Sequence, residues 1–240
     1  MTTLSDDRIT GEVIAALAAS PKVKETDIEV FVRNRRVILT GAVDTLAEKI
    51  AAEEIARQIP GVRAVENDIT IVTHGHISDF EVERNVRHQL DQKPELQAIG
   101  VHSSDGCVIL KGKLPNLAME QEAIRAAAMA RGVREVVSDI EIAPGEPIDD
   151  VTLANSVAEA LSDAPDLYLQ NIEVRAHEGL VEIWGEAPTA HQASLAVEIA
   201  AGVPGVQRVE SHLVVLESTV PKETKDIKET AKSSEKGRLV

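Results

Sequence analysis

Residues 27–43 read DIEVFVRNRRVILTGAV. Ile28, Val30 and Val32 alternate with Glu29, Phe31 and Arg33, and Val37 and Leu39 resume the alternation beyond Asn34 and Arg35. A period of two on both sides of a short break predicts a hairpin with one buried face. The pattern recurs. Residues 171–187 read NIEVRAHEGLVEIWGEA, with the break at Glu178-Gly179, and a further version breaks at Asp105-Gly106. Asp-Gly is a strong signal for a turn whose two central residues take positive φ. Arg35 stands where the other versions have glycine, so this turn is expected to carry strain or to be of another type.

Outward from the hairpin, the whole neighbourhood repeats. Gly41, Gly112 and Gly185 lie 71 and 73 residues apart, and Gly61, Gly132 and Gly205 each follow after 20 residues. Upstream stand Ile9, Val13, Leu17; Val82, Val86, Leu90; and Leu153, Val157, Leu161. This i, i+4, i+8 spacing marks one stripe of a helix. Asp6, Asp79 and Asp150 precede the triplets by three residues, where a carboxylate caps or favours a helix N-terminus. Pro21, Pro94 and Pro165 help to end that helix. After the hairpin, Ala52, Ile55, Ala56 and Ile59 mark the inner face of a second helix, stopped at Pro60-Gly61. Val62, Val65, Ile69 and Ile71 then trace a last strand, and both later copies repeat it.

The chain is therefore expected to be α+β, with three tandem αββαβ units, each a three-stranded sheet with two helices on one face. The units span 4–73, 77–143 and 148–216. Their joints are Thr73 to Ile77, containing His74 and His76, and Pro144-Gly145-Glu146-Pro147. Residues 217–240 are rich in Lys, Glu, Thr and Ser without apolar periodicity, and are expected to form a disordered charged tail. A unit of about 65 residues buries only roughly 60% of its unfolded surface, so the copies are expected to dock on one another or on a partner.

Composition narrows the function. The 240 residues are 43% hydrophobic with two Phe, one Trp and one Tyr, so the cores must be aliphatic. A formal charge of −15 repels phosphate backbones, which argues against general nucleic-acid binding. The single cysteine, Cys107, precludes an intrachain disulfide. Asp6, Asp7 and Glu12 interrupt the early apolar residues, so the N-terminal stretch reads as an amphipathic helix start and not as a secretory signal. No stretch approaches a membrane span, and the expected compartment is the cytoplasm. No P-loop, GxGxxG or GxSxG occurs, so no cofactor and no catalytic residue is expected.

The pattern resembles the BON domain, named for bacterial osmotically induced and nodulation proteins. The resemblance is carried by ITGEVIAAL (9–17), the hairpin at 27–43, the Ala/Glu-rich helix and IPGVRAVENDITIV (59–72). It covers residues 4 to about 216 as three tandem domains. It implies a non-enzymatic protein of envelope and stress-response type, binding phospholipid or other envelope surfaces. Many family members carry an export signal, which implies a periplasmic alternative; Arg35 departs from the family's hairpin glycine.

Side chains that alternate with the inward-facing ones form an open sheet face. They include Phe31 and Ile38 in the first unit and His102 and Ile109 in the second. In the third, Arg175 stands with Glu182 and Glu173 with Trp184. Phe31, Ile38, Ile109 and Trp184 either bury themselves between repeats or form a lipid or protein contact surface. The first possibility describes a compact cytoplasmic structural or adaptor protein whose sheet faces pack on one another and which binds a protein or small ligand. Arg33, Arg35 and Arg36 gather at one hairpin tip, either as a solvated turn or as a phosphate-binding cluster. His74 and His76, in a joint without a Cys or defined carboxylate partner, read as linker residues and not as metal ligands. Formal charge is −3 over residues 1–76, −4 over 77–147, −9 over 148–216 and +1 over the tail.

Overall fold

The computed structural model describes residues 6–23, 28–73, 75, 77–145 and 148–216. The tail at 217–240, the joint residues His74, His76, Glu146 and Pro147, and residues 4 and 5 lie outside the described residues. The first unit comprises α1 (Asp6–Ala19), β1 (Ile28–Arg33), β2 (Arg36–Val43), α2 (Leu46–Gln58) and β3 (Ala64–Ile71). The second comprises α3 (Asp79–Leu90), β4 (Gly100–Ser104), β5 (Cys107–Leu114), α4 (Leu117–Ala128) and β6 (Glu135–Ile142), with a 3₁₀ turn at Pro94–Leu96. The third comprises α5 (Asp150–Asp163), β7 (Gln170–His177), β8 (Leu180–Ala187), α6 (Ala190–Ala201) and β9 (Arg208–Val215).

Each unit is α+β, with a three-stranded sheet in chain order, antiparallel at the hairpin and parallel between its last two strands. The second helix makes the crossover that a parallel pair requires. Ile9, Val13 and Leu17 meet Val37, Leu39, Ala52 and Ile69 in the first core, and the other two cores repeat this set. The third unit departs from the expected alternation. Between Gln170 and Glu173 the register shifts, Asn171 takes φ 53°, and Ile172 is left 39% exposed. Leu167 and Leu169 pack on that core instead.

The three hairpin turns have the same backbone form. The φ angles are 53° and 63° at Asn34 and Arg35, 51° and 79° at Asp105 and Gly106, and 47° and 81° at Glu178 and Gly179. Both positions are left-handed, the form that matches the twist of paired strands. Of the two outcomes open for Arg35, the structure shows strain and not another turn type. A side chain in this region costs about 1–2 kcal/mol.

The repeated aspartates do more than favour a helix end. Ser78 and Asp149 hold the cap positions, Ser78 accepting from the Glu81 amide and Asp149 from those of Val151 and Thr152. Asp79 and Asp150 instead sit one residue further on and reach across to the hairpin. The Asn34 and Arg35 amides donate to Asp6 at 2.7 and 2.9 Å. Gly106 N–H donates to Asp79 at 3.3 Å, and Glu178 N–H to Asp150 at 2.9 Å. The amides of Asp105 and Gly106 hold the Asp79 carboxyl below the usual aspartate range. Each aspartate thus clips its first helix to its own hairpin turn.

The units dock through their helix layers. Helix α4 packs against α2 on one side and α6 on the other. Leu46, at the start of α2, packs on the second unit's core. At the second junction Leu117 N–H donates to Val206 O at 3.1 Å, Gly205 N–H to Pro115 O at 2.9 Å, and Asn116 Nδ2 to Gly202 O at 2.9 Å. Ala128 and Ala201, at equivalent positions in α4 and α6, are buried outside the core clusters of their own units. The first unit carries Arg57 at their repeat position, paired with Glu53, and the third carries Ala190 where the others have Leu46 and Leu117. The series is head-to-tail, and its two outer ends lack the docking residues.

Candidate functional site

Because the helices make the junctions, the sheets turn their other faces outward. Of the two readings open for Phe31, Ile38, Ile109 and Trp184, burial between repeats does not hold for Phe31. Phe31 is 54% exposed, and the other three are half-buried within their own sheets. A compact protein whose sheet faces cover one another is not what the chain forms.

The register places Phe31 opposite Ile38, and Ile38 beside Glu66. An open depression of about 470 Å³ includes Ile38 and Glu66 in its wall, with Arg33, Asn34, Arg36, Arg63 and Ala64. Arg33 and Arg36 therefore meet as the sequence suggests, but the third cation is Arg63. Arg35 is half-buried in the turn and does not line the depression. Arg63 immediately precedes β3, and only the parallel pairing of Arg36 with Ala64 brings it alongside β2. Arg36 is 3.6 Å from Glu66, an exposed pair of little strength.

The second unit's face has His102 opposite Ile109, with Val137 on the next strand. Lys111 pairs with Asp139 at 3.3 Å and Lys113 with Glu141 at 2.9 Å. His102 Nδ1 lies 3.1 Å from Glu83. Cys107 begins β5 half-buried, opposite Ser104.

The third face is polar. Arg175, opposite Glu182, turns to Glu173 at 2.6 Å and stacks 4.9 Å over Trp184. Trp184 stacks in turn on His212, with centroids 5.0 Å apart and planes 17° from parallel. Glu182, Glu210 and His212 each bring a ligand atom within 4.8 Å of the others. No spacing rule in the sequence joins Glu182 to residues 28 and 30 positions later; the β8–β9 register does. His74 and His76 lie outside the described residues. No helix among those described is long and apolar enough to cross a membrane.

Comparison with known proteins fits this repeated architecture. Osmotically-inducible protein Y of Escherichia coli (strain K12) is 27% identical over 146 residues, 58% of this chain and 73% of that protein. The 21 kDa hemolysin of Actinobacillus pleuropneumoniae is 27% identical over 140 residues, 55% of this chain and 72% of that protein. Among solved structures, the C-terminal domain of CdsD, a type III secretion structural protein of Chlamydia trachomatis, aligns at 16% identity over 89% of this chain and all of its own, with a TM-score of 0.25 that supports no inference. The BON domain profile matches residues 5–73, 78–144 and 149–217, each match enclosing one clipped αββαβ unit, and the chain belongs to the BON domain family.

Proposed function

We propose that this protein is a non-enzymatic contact module that meets anionic phospholipid surfaces through the outer face of its first unit, in a stress-associated role of the kind its osmotically inducible relative suggests. The observation that carries the reading is exposed Phe31, paired with half-buried Ile38, on the face where Arg33, Arg36 and Arg63 line the depression. This combination suits a surface with charged headgroups above an apolar layer.

The magnitudes make the contact weak. Each basic side chain near an anionic surface contributes about 1 kcal/mol. Completing the burial of a half-exposed Phe31 adds roughly 0.8–1.6 kcal/mol. Their sum, about 4 kcal/mol, corresponds to a dissociation constant near 1 mM. A contact this weak is transient and falls steeply with added salt. The −9 charge of the third unit orients the protein with its first unit toward an anionic surface.

The test is co-sedimentation of the full chain with phosphatidylglycerol vesicles and with phosphatidylcholine vesicles, at low and high salt. The reading expects binding to the anionic vesicles alone, lost in salt and lost when Arg33, Arg36 and Arg63 become serine. Equal binding to both vesicles, or none to either, overturns it.

A further inference from the structure

The outer face of the third unit holds a feature that lipid contact does not use. At the positions where the second unit pairs Lys111 with Asp139, the third has Trp184 and His212. Where the first unit sets Ile38 beside Glu66 and the second Ile109 beside Val137, the third sets Glu182 beside Glu210. Two carboxylates thus stand side by side on paired strands, at places where the second unit has two apolar residues and the first a single carboxylate. Arg175, the cation opposite Glu182, is turned to Glu173 and Trp184. Among the described residues Glu210 makes no ion pair, not even with Arg208 two positions earlier on its own strand.

His212 completes the group. It follows Glu210 by two residues, so both project from the same face. The Trp184 stack fixes the imidazole plane, and Nε2 lies 3.8 Å from Glu182 Oε1. That separation is too long for a hydrogen bond. It is close to the spacing of two ligands on one ion: at metal–ligand lengths of about 2.0–2.2 Å, tetrahedral geometry puts the ligand atoms roughly 3.4 Å apart. We propose that Glu182, Glu210 and His212 form a site for a divalent transition-metal ion. One imidazole with two carboxylates suits zinc or nickel better than magnesium or calcium, which take oxygen ligands alone. The strands hold the three positions, and the side facing solvent leaves coordination positions for water or an outside ligand. The surrounding charge of −9 further favours a cation.

Trp184 is the sole tryptophan of the chain and touches the proposed ligand, so its emission reports this site alone. The experiment titrates the chelator-treated full chain with nickel chloride, and separately with zinc chloride, following Trp184 emission. The proposal expects a saturable change with one ion per chain. His212→Gln and Glu210→Gln should each weaken it at least about tenfold, no less than the loss of an outer-shell partner costs at known metal sites. His102→Gln, which alters another exposed histidine near a carboxylate, should leave the curve unchanged. These are surface substitutions, and circular dichroism verifies that the variants fold. Emission that does not respond to either ion, or wild-type affinity in the His212 and Glu210 variants, overturns the proposal.

Discussion

Replacing Phe31 by serine separates folding from contact, because the structure divides this side chain between the two. Full burial of a phenylalanine stabilises by about 1.5–3 kcal/mol. Phe31 is 54% exposed in the free protein, so the share already realised is about 0.7–1.4 kcal/mol and the share held for a surface about 0.8–1.6 kcal/mol. Phe31→Ser should therefore lower the stability of the first unit by about 1 kcal/mol and weaken vesicle binding by about 4- to 15-fold. Hydrogen exchange of the β1 and β2 amides measures the first quantity, since Trp184 reports only the third unit. Co-sedimentation with anionic vesicles measures the second. A stability loss above roughly 3 kcal/mol, the range of core truncation, would show that Phe31 belongs to a core. Unchanged vesicle affinity would show that it takes no part in contact.

The turn, the clip and the junction each give a further expectation. Arg35→Gly relieves a left-handed side chain worth about 1–2 kcal/mol and adds roughly 0.5–1 kcal/mol of backbone entropy. The first unit should gain about 0.5–1 kcal/mol in urea unfolding followed by hydrogen exchange, and a loss would mean that the Arg35 side chain makes contacts that matter. Asp79, with its folded pKa depressed by the turn amides, contributes stability above the ordinary aspartate value of about 3.8 that disappears as pH falls through the folded value. The stability deficit of Asp79→Asn should therefore narrow as pH drops below about 4 in paired denaturation curves; a constant difference contradicts the clip. Ala201→Arg places a charge at a buried position of α6 next to Gly202, whose carbonyl takes Asn116 of the second unit, and burying it costs several kcal/mol. Small-angle scattering should show a larger radius of gyration while Trp184 emission stays folded, and an unchanged profile would remove Ala201 from the junction.

The repetition of glycines, apolar stripes and alternating pairs makes the α+β units legible in the sequence. These features are local, and their periods of 3.6 and 2 follow from backbone geometry. Ile172 shows the limit. Its alternation is correct as a pattern, but a register shift, a relation between two strands, moves it toward solvent. The aspartates show another. A carboxylate at a helix start satisfies the local rule, and nothing within a few residues of Asp6 indicates that its partners are the amides of Asn34 and Arg35.

The candidate sites divide in the same way. Phe31, Ile38, Arg33 and Arg36 were accessible to sequence reasoning because hairpin alternation alone assigns their face. Arg63, and the meeting of Glu182 and Glu210 with His212, depend on the parallel pairing of a central strand with one that returns after a helix. The sequence by itself determined three sibling units and one open face on each, since both are consequences of short-range periodicity. Tertiary structure alone decided that the units join by their helices. The choice of joining face rests on pairings between distant segments, such as Asn116 Nδ2 with the Gly202 carbonyl, which no periodicity encodes.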